Sequence, residues 1–238
     1  LVLGIAFSLA ALTSAFAQSG DHVASQPLTV ALDVGERPFA FAEANGQPAG
    51  FSVDLARELA KKLGRPGAEI VDVNFSAMFA GLFAKRYEMT TAPVIIREER
   101  AEQMLFSEPY LNTAFAFAAR KGQGFTALEE LKGKTIAVNT GGSHDKWVTD
   151  NAEQYGFSVE RYNKTPDALQ AVASGRADVV LSEEPVVRAF VALAPSIEVS
   201  YVIDSGLTFG MAFRKEDEAF RDEVEKALEC MKQDGTMT

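Results

Sequence analysis

The sequence predicts an α/β protein of two lobes, each a mostly parallel sheet flanked by helices, joined by a two-strand hinge. Three observations carry this. Strand-length apolar runs alternate with runs of helical period, and they do so in two successive series. Two extended apolar stretches, residues 114–120 and 207–213, separate the series and close the second one. The 238 residues are 47% hydrophobic and 24% charged, enough for packed cores in one large or two ordinary units, which excludes disordered and fibrous architectures.

In the first series, residues 28–32 form a short apolar strand ending at Asp33. Residues 51–63 form an amphipathic helix, with Leu55, Ala56, Leu59, Ala60 and Leu63 on one face, Ser52 as its expected N-cap, and Gly64 with Pro66 ending it. A strand over 69–74, a helix over 76–85 and a strand over 89–94 follow. The second series places strands at 134–139, 158–162 and 177–181 and helices at 143–155, 165–174 and 183–193, with Thr165 as a cap; a last helix spans 217–232. Such alternation argues for parallel sheets covered on both faces. Two extended crossings make a hinge rather than a floppy linker, because each bends only locally. The expected division is residues 28–116 with 207–238 in lobe one, and 117–206 in lobe two.

Composition removes several functions. The formal net charge is −10 with no cluster of Lys and Arg, which argues against nucleic acid. A single cysteine, Cys230, excludes a disulfide framework and a cysteine-based zinc site, and is expected as a small buried residue on the last helix. Two histidines, His22 and His144, leave little for a metal centre or a Ser-His-Asp triad. Residues 1–12 are almost wholly apolar and lead to Ala15-Phe16-Ala17, small residues at the −3 and −1 positions of a signal-peptidase site, so cleavage after Ala17 and export are expected. No Met or basic segment precedes this run, so the natural N-terminus is expected further upstream.

Chemical motifs are few. Thr140-Gly141-Gly142-Ser143 lies between a strand and a helix, a geometry that aims backbone N–H groups and the positive helix end at an anion, or serves as a simple turn. Glu183 follows a strand, where open α/β sheets bind ligands, or sits at a solvated helix start. Asp33 ends the first strand, and Arg100 comes soon after the strand ending at Val94. His144 is expected at the surface near a helix cap rather than as a proton shuttle. Phe75 and Trp147 read as core residues ahead of ligand platforms.

Taken together, the motifs are more specific. Gly50-Phe51-Ser52-Val53-Asp54-Leu55-Ala56 resembles the GFDVDLA signature of family 3 extracellular solute-binding proteins, the receptors of polar amino-acid ABC importers. Arg37-Pro38-Phe39-Ala40-Phe41 resembles the family's PPFEF; Arg97-Glu98-Glu99-Arg100 and Phe106-Ser107-Glu108-Pro109-Tyr110 resemble T-x-E-R and FSDPY. Leu128-Glu129-Glu130-Leu131-Lys132-Gly133-Lys134-Thr135 is similar to LEDLKGKTV, and Gly175-Arg176-Ala177-Asp178 to G-R-A-D. The likeness runs in the family's order over residues 28–236. Family members continue past Asp234-Gly235-Thr236 into a final helix, so further residues are expected there.

The resemblance implies the two-lobed type II periplasmic-binding-protein fold, closing at its hinge on a small solute and presenting it to membrane permease subunits. It implies a periplasmic monomer with a small-molecule ligand, no enzymatic activity and no cofactor. Residue by residue, it implies that Arg100 binds a ligand carboxylate and Glu183 the ammonium, that Asp33 meets a basic side chain, and that Phe75 stacks on the ligand. It also implies carboxylate donors from Gly142 and Ser143, with Ala92 and Asn139 lining the same site. Two departures stand out. Pro93-Val94-Ile95 replaces the family's G-M-T/S, losing an N–H and a hydroxyl, and Glu36 replaces an aromatic wall residue. Asp33, Glu36 and Glu183 against Arg100 leave an acidic excess, from which a cationic solute is expected: a basic amino acid or an opine-like derivative, with polyamines behind. The resemblance also admits a cyclohexadienyl dehydratase, with Glu183 as general acid, and a sensing subunit of a membrane receptor.

Overall fold

A computed structural model describes residues 25–237, so the expected export signal and its cleavage site lie outside the described residues. The first series becomes β1 (Leu28–Leu32), a hairpin of β2 (Phe41–Ala42) and β3 (Pro48–Ala49), α1 (Phe51–Lys62), β4 (Ala68–Asp72), α2 (Phe75–Phe83) and β5 (Met89–Ile95). β1 lies between β4 and β5 and is parallel to both. A short α3 (Glu98–Ala101) and β6 (Met104–Phe106) lead to the first crossing, β7 (Leu111–Arg120). The second series gives β8 (Thr135–Asn139), α4 (Ser143–Tyr155), β9 (Ser158–Tyr162), α5 (Thr165–Ala173), β10 (Val179–Glu183) and α6 (Glu184–Leu193). β8 is parallel to both β9 and β10. The return crossing is β11 (Ile197–Arg214), followed by α7 (Glu218–Gln233).

The strand order is β4-β1-β5-β11-β7-β10-β8-β9, with β6 also on β11. β7 and β11 are antiparallel and stand in the middle, pairing from Ile197 opposite Arg120 to Phe209 opposite Leu111. Their register shifts between Val199 and Tyr201 and again between Ile203 and Leu207, and such irregularities bend a ladder locally. One lobe is therefore hung on the Leu111 end of the pair and the other on the Arg120 end. β11 is longer than the predicted run over 207–213, because the part before that run contains Ser200, Asp204 and Gly206, residues that punctuate strands more often than they build them.

Each lobe is covered on both faces, as the alternation requires. In lobe one, Leu28, Val30, Leu55 and Leu59 meet Phe213, Val224 and Leu228, while Leu32, Met78, Leu82 and Tyr87 fill the opposite face. In lobe two, Ala137, Leu169, Val172 and Val180 form one layer, and Phe117, Ile136, Val138, Val148 and Leu181 the other. Burying one such aliphatic side chain is worth about 1.5–3 kcal/mol, so these layers fix the strands that carry the loops between the lobes. Trp147 packs half-buried against Phe117, in the core role expected of it.

Several local expectations are corrected. Gly50, not Ser52, caps α1, and Ser52 is buried beneath it. Lys164 takes the cap position of α5, which frees the Thr165 hydroxyl for a long-range bond. The predicted strand over 177–181 moves to Val179–Glu183, because Asp178 is used by the turn and accepts the Thr135 amide at 2.8 Å. Cys230 is exposed on α7, with Lys62 Nζ 3.5 Å from its sulfur, rather than buried.

Candidate functional site

The loop after β1 carries two carboxylates into the space between the lobes. Asp33 ends the strand and is 2% exposed. Its Oδ2 accepts the Phe75 amide at the start of α2 at 2.9 Å, and its Oδ1 accepts Lys164 Nζ from the other lobe at 2.6 Å. Lys164 also bonds Asp72 at 2.9 Å, and the two carboxylates hold its ammonium above the usual lysine range against the opposing effect of burial. Burial raises the Asp33 carboxyl, with Lys164 and the Phe75 amide pulling the other way.

Glu36 heads a tight turn whose Phe39 and Ala40 amides both donate to its carbonyl, at 2.7 and 2.9 Å. Its side chain points inward, and Oε1 accepts the Thr165 hydroxyl of lobe two at 2.7 Å. A hydroxyl brings no charge. Burial first, then the charges of Glu183 and Asp33, push the Glu36 carboxyl up to about 8.

Arg100 enters from the short helix after β5. Its guanidinium donates to the carbonyls of Ile95 at 2.9 Å and of Gly141, across the cleft, at 3.3 Å. The Phe75 and Phe79 rings lie 5.4 and 5.2 Å from its Cζ, within cation–π range. Among the described residues no carboxylate comes within ion-pair distance of it, the nearby Glu99 and Glu102 included. Burial, then the neighbouring Arg97, lowers its pKa to about 10. A buried guanidinium without a carboxylate is costly and calls for an anion.

Lobe two answers with the Gly-Gly loop. Gly141 has φ +85, and a Cβ there would lie 3.2 Å from Ser76 Cα of lobe one, so the position favours glycine on both conformation and clearance. At Gly142 a Cβ would fall 2.4 Å from His144 Cε1; glycine makes the space into which the imidazole folds. His144 is therefore 2% exposed rather than at the surface, and its Nδ1 lies 3.2 Å from Glu183 Oε1. Ser182 donates to the other Glu183 oxygen at 3.0 Å. Burial alone would raise Glu183 and lower His144. The charge and hydrogen bond between them outweigh it, leaving Glu183 below and His144 above its ordinary value. The Ser143 hydroxyl, the Asn139 carbonyl oxygen and His144 Nε2 are buried with no hydrogen-bond partner among the described residues.

Of the residues singled out in the sequence, Asp33, Glu36, Phe75, Arg100, Gly142, Ser143 and Glu183 thus gather where the loops of the two lobes meet, while Asn139 ends β8 and bonds the Asn163 carbonyl within lobe two at 3.4 Å. Ala92 differs: its methyl packs in the lobe-one core with Phe75 and Met78, and its amide donates to Thr90 Oγ1 at 3.0 Å. Two residues were missed, Lys164 and Thr165, because a lysine before a helix carries no signal for a carboxylate 131 positions away. His144 was misplaced, although the two glycines before it were the available clue. The acidic excess expected from one guanidinium against three carboxylates is also smaller, since Lys164 compensates Asp33 and His144 pairs with Glu183.

The family model of bacterial extracellular solute-binding proteins, family 3, matches residues 28–238. The arginine-binding extracellular protein ArtP of Bacillus subtilis is 28% identical over 236 residues, covering 98% of this chain and 91% of ArtP. A solved ancestral arginine-binding protein bound to arginine is 33% identical with a TM-score of 0.85, covering 89% of this chain and 94% of that one. An ancestral amino acid-binding protein described as a precursor of cyclohexadienyl dehydratase is 29% identical with a TM-score of 0.81, covering 89% and 92%. The sheet of two lobes on paired crossings, the loops that meet between them and these likenesses agree, and the chain belongs to the bacterial extracellular solute-binding proteins of family 3.

Proposed function

We propose that this chain is the periplasmic receptor of an ABC importer, and that lobe one (28–116 with 207–238) and lobe two (117–206) close as a monomer over a basic amino acid. The observation that carries the reading is the pattern of charge at the lobe junction. Arg100 is a buried cation with no carboxylate among the described residues, which suits the carboxylate of a solute. The unpartnered Ser143 hydroxyl on the facing loop would add a donor to the same group. Glu183, ionised beside His144, suits an ammonium. Glu36 is a carboxyl held neutral by burial, able to ionise against a second positive charge. A zwitterion with a cationic side chain satisfies all three, and the arginine-binding relatives support it.

The same geometry disfavours a dehydratase. A general acid at neutral pH needs a raised pKa, and His144 holds Glu183 in the opposite direction. Delivery to permease subunits and removal of a leader after Ala17 follow from the family reading. The test is calorimetric titration of the protein with L-arginine, L-lysine, L-glutamine, L-glutamate and putrescine. Arginine or lysine should bind most tightly. Tight binding of glutamine or glutamate with none of the cations would overturn the assignment.

A further inference from the structure

Residues 33–36 and 164–165 present an asymmetry. Two consecutive residues of lobe two address the two carboxylates of one lobe-one loop, and only the first brings a charge. Lys164 Nζ sits 2.6 Å from Asp33 Oδ1, with Asp72 and the Val34 carbonyl at 2.9 and 3.5 Å holding it in place. Thr165 offers Glu36 a hydroxyl. We propose that Lys164 is a specificity-determining residue: a cation built into lobe two that is inserted against Asp33 on closure, so that a solute's side-chain charge is directed to Glu36 instead. The proposal rests on the amino-acid reading above for its ligands, but its geometry is the protein's own.

The accounting at Asp33 favours this. The side chain is 1% exposed, one oxygen is taken by the Phe75 amide and the other by Lys164. A guanidinium binds a carboxylate best through both oxygens in a planar fork, and neither is free of a donor here. A solute cation would have to displace an ammonium that is tied to a second carboxylate as well. At Glu36 it meets one donor, the Thr165 hydroxyl, and the nearby positive charge of His144 is already hydrogen-bonded to Glu183.

The experiment compares L-arginine with L-citrulline, its neutral isostere, by calorimetry on wild type and Lys164→Met. Without Lys164, Asp33 is buried on closure without a counter-charge, and a cationic solute gains what a neutral one does not. The arginine-to-citrulline affinity ratio should therefore rise by about tenfold or more over wild type. Adding Asp33→Asn to Lys164→Met should return the ratio to the wild-type value, and Lys164→Arg, which keeps the charge, should leave it there. A ratio in Lys164→Met equal to wild type, both affinities falling together, would overturn the proposal. If neither amino acid binds wild type, the amino-acid reading fails and the insertion is decided by solution scattering of the ligand-free proteins. A larger radius for Lys164→Met than for wild type supports it; equal radii overturn it.

Discussion

Replacing Glu36 by Gln separates its charge from its shape. With its carboxyl up at about 8, roughly nine in ten copies are neutral at pH 7, so the amide mimics the resting state and still accepts the Thr165 hydroxyl. A guanidinium about 4 Å from an ionised Glu36 gains about 4 kcal/mol at an effective dielectric of 20. Removing the proton at pH 7 takes back about 1.4 kcal/mol. The net, about 2–3 kcal/mol, makes Glu36→Gln roughly 30–150-fold weaker for arginine. The sign of the pH dependence follows: a proton on Glu36 competes with the cation, so wild-type affinity rises from pH 6 toward 8 and levels above it. Calorimetry in two buffers of different ionisation enthalpy should find nearly one proton released per arginine at pH 7 in wild type, and none in Glu36→Gln. Arginine affinity independent of pH, with no proton released and no loss in the variant, would show that Glu36 does not meet the guanidinium.

Three further outcomes follow. Arg100→Ala should cost about 2–5 kcal/mol of amino-acid binding in calorimetry, and equal affinity would remove it from the ligand site. His144→Leu leaves Glu183 buried without its partner and should lower the thermal midpoint. The pair stabilises above the ordinary carboxylate value of 4.5 and below the ordinary imidazole value of 6.5, fading as pH falls through the lowered Glu183 value or rises through the raised His144 value, so the difference from wild type should peak within that window. Gly141→Ala forces a side chain at φ +85 against Ser76, costing about 1–2 kcal/mol; it should weaken ligand binding in calorimetry while leaving ligand-free secondary structure by circular dichroism unchanged.

What the sequence made legible was local. Helix 143–155 and strand 158–162 coincide with α4 and β9, because a Gly pair, a helical apolar period and Gly156 in the left-handed region bound them on each side. The crossing 114–120 was visible as an apolar extended run, and β7 fills it. A position between the lobes was legible where a family motif pins a residue, as for Arg100, or where a strand end places one, as for Asp33. It was not legible where meaning lies in a partner far along the chain. Lys164 reads as an ordinary polar residue between strand and helix until β9 and α5 bring it to Asp33. His144 reads as a surface residue until β10 sets Glu183 beside it, with 39 positions between them. Glu36 needed both lobes, since its burial comes from a turn in one and Thr165 in the other. Side-chain charge can be counted in a sequence, but compensation of charge is a matter of pairing, which only the fold supplies.

A crystal structure of the protein grown with L-arginine would show whether an amino acid is held between the lobes by this divided set of charges. The carboxylate should lie on Arg100 and Ser143, the ammonium at Glu183, and the guanidinium at Glu36 with Lys164 still on Asp33. Arginine bound outside the junction, or its guanidinium seated on Asp33 with Lys164 displaced, would contradict this placement.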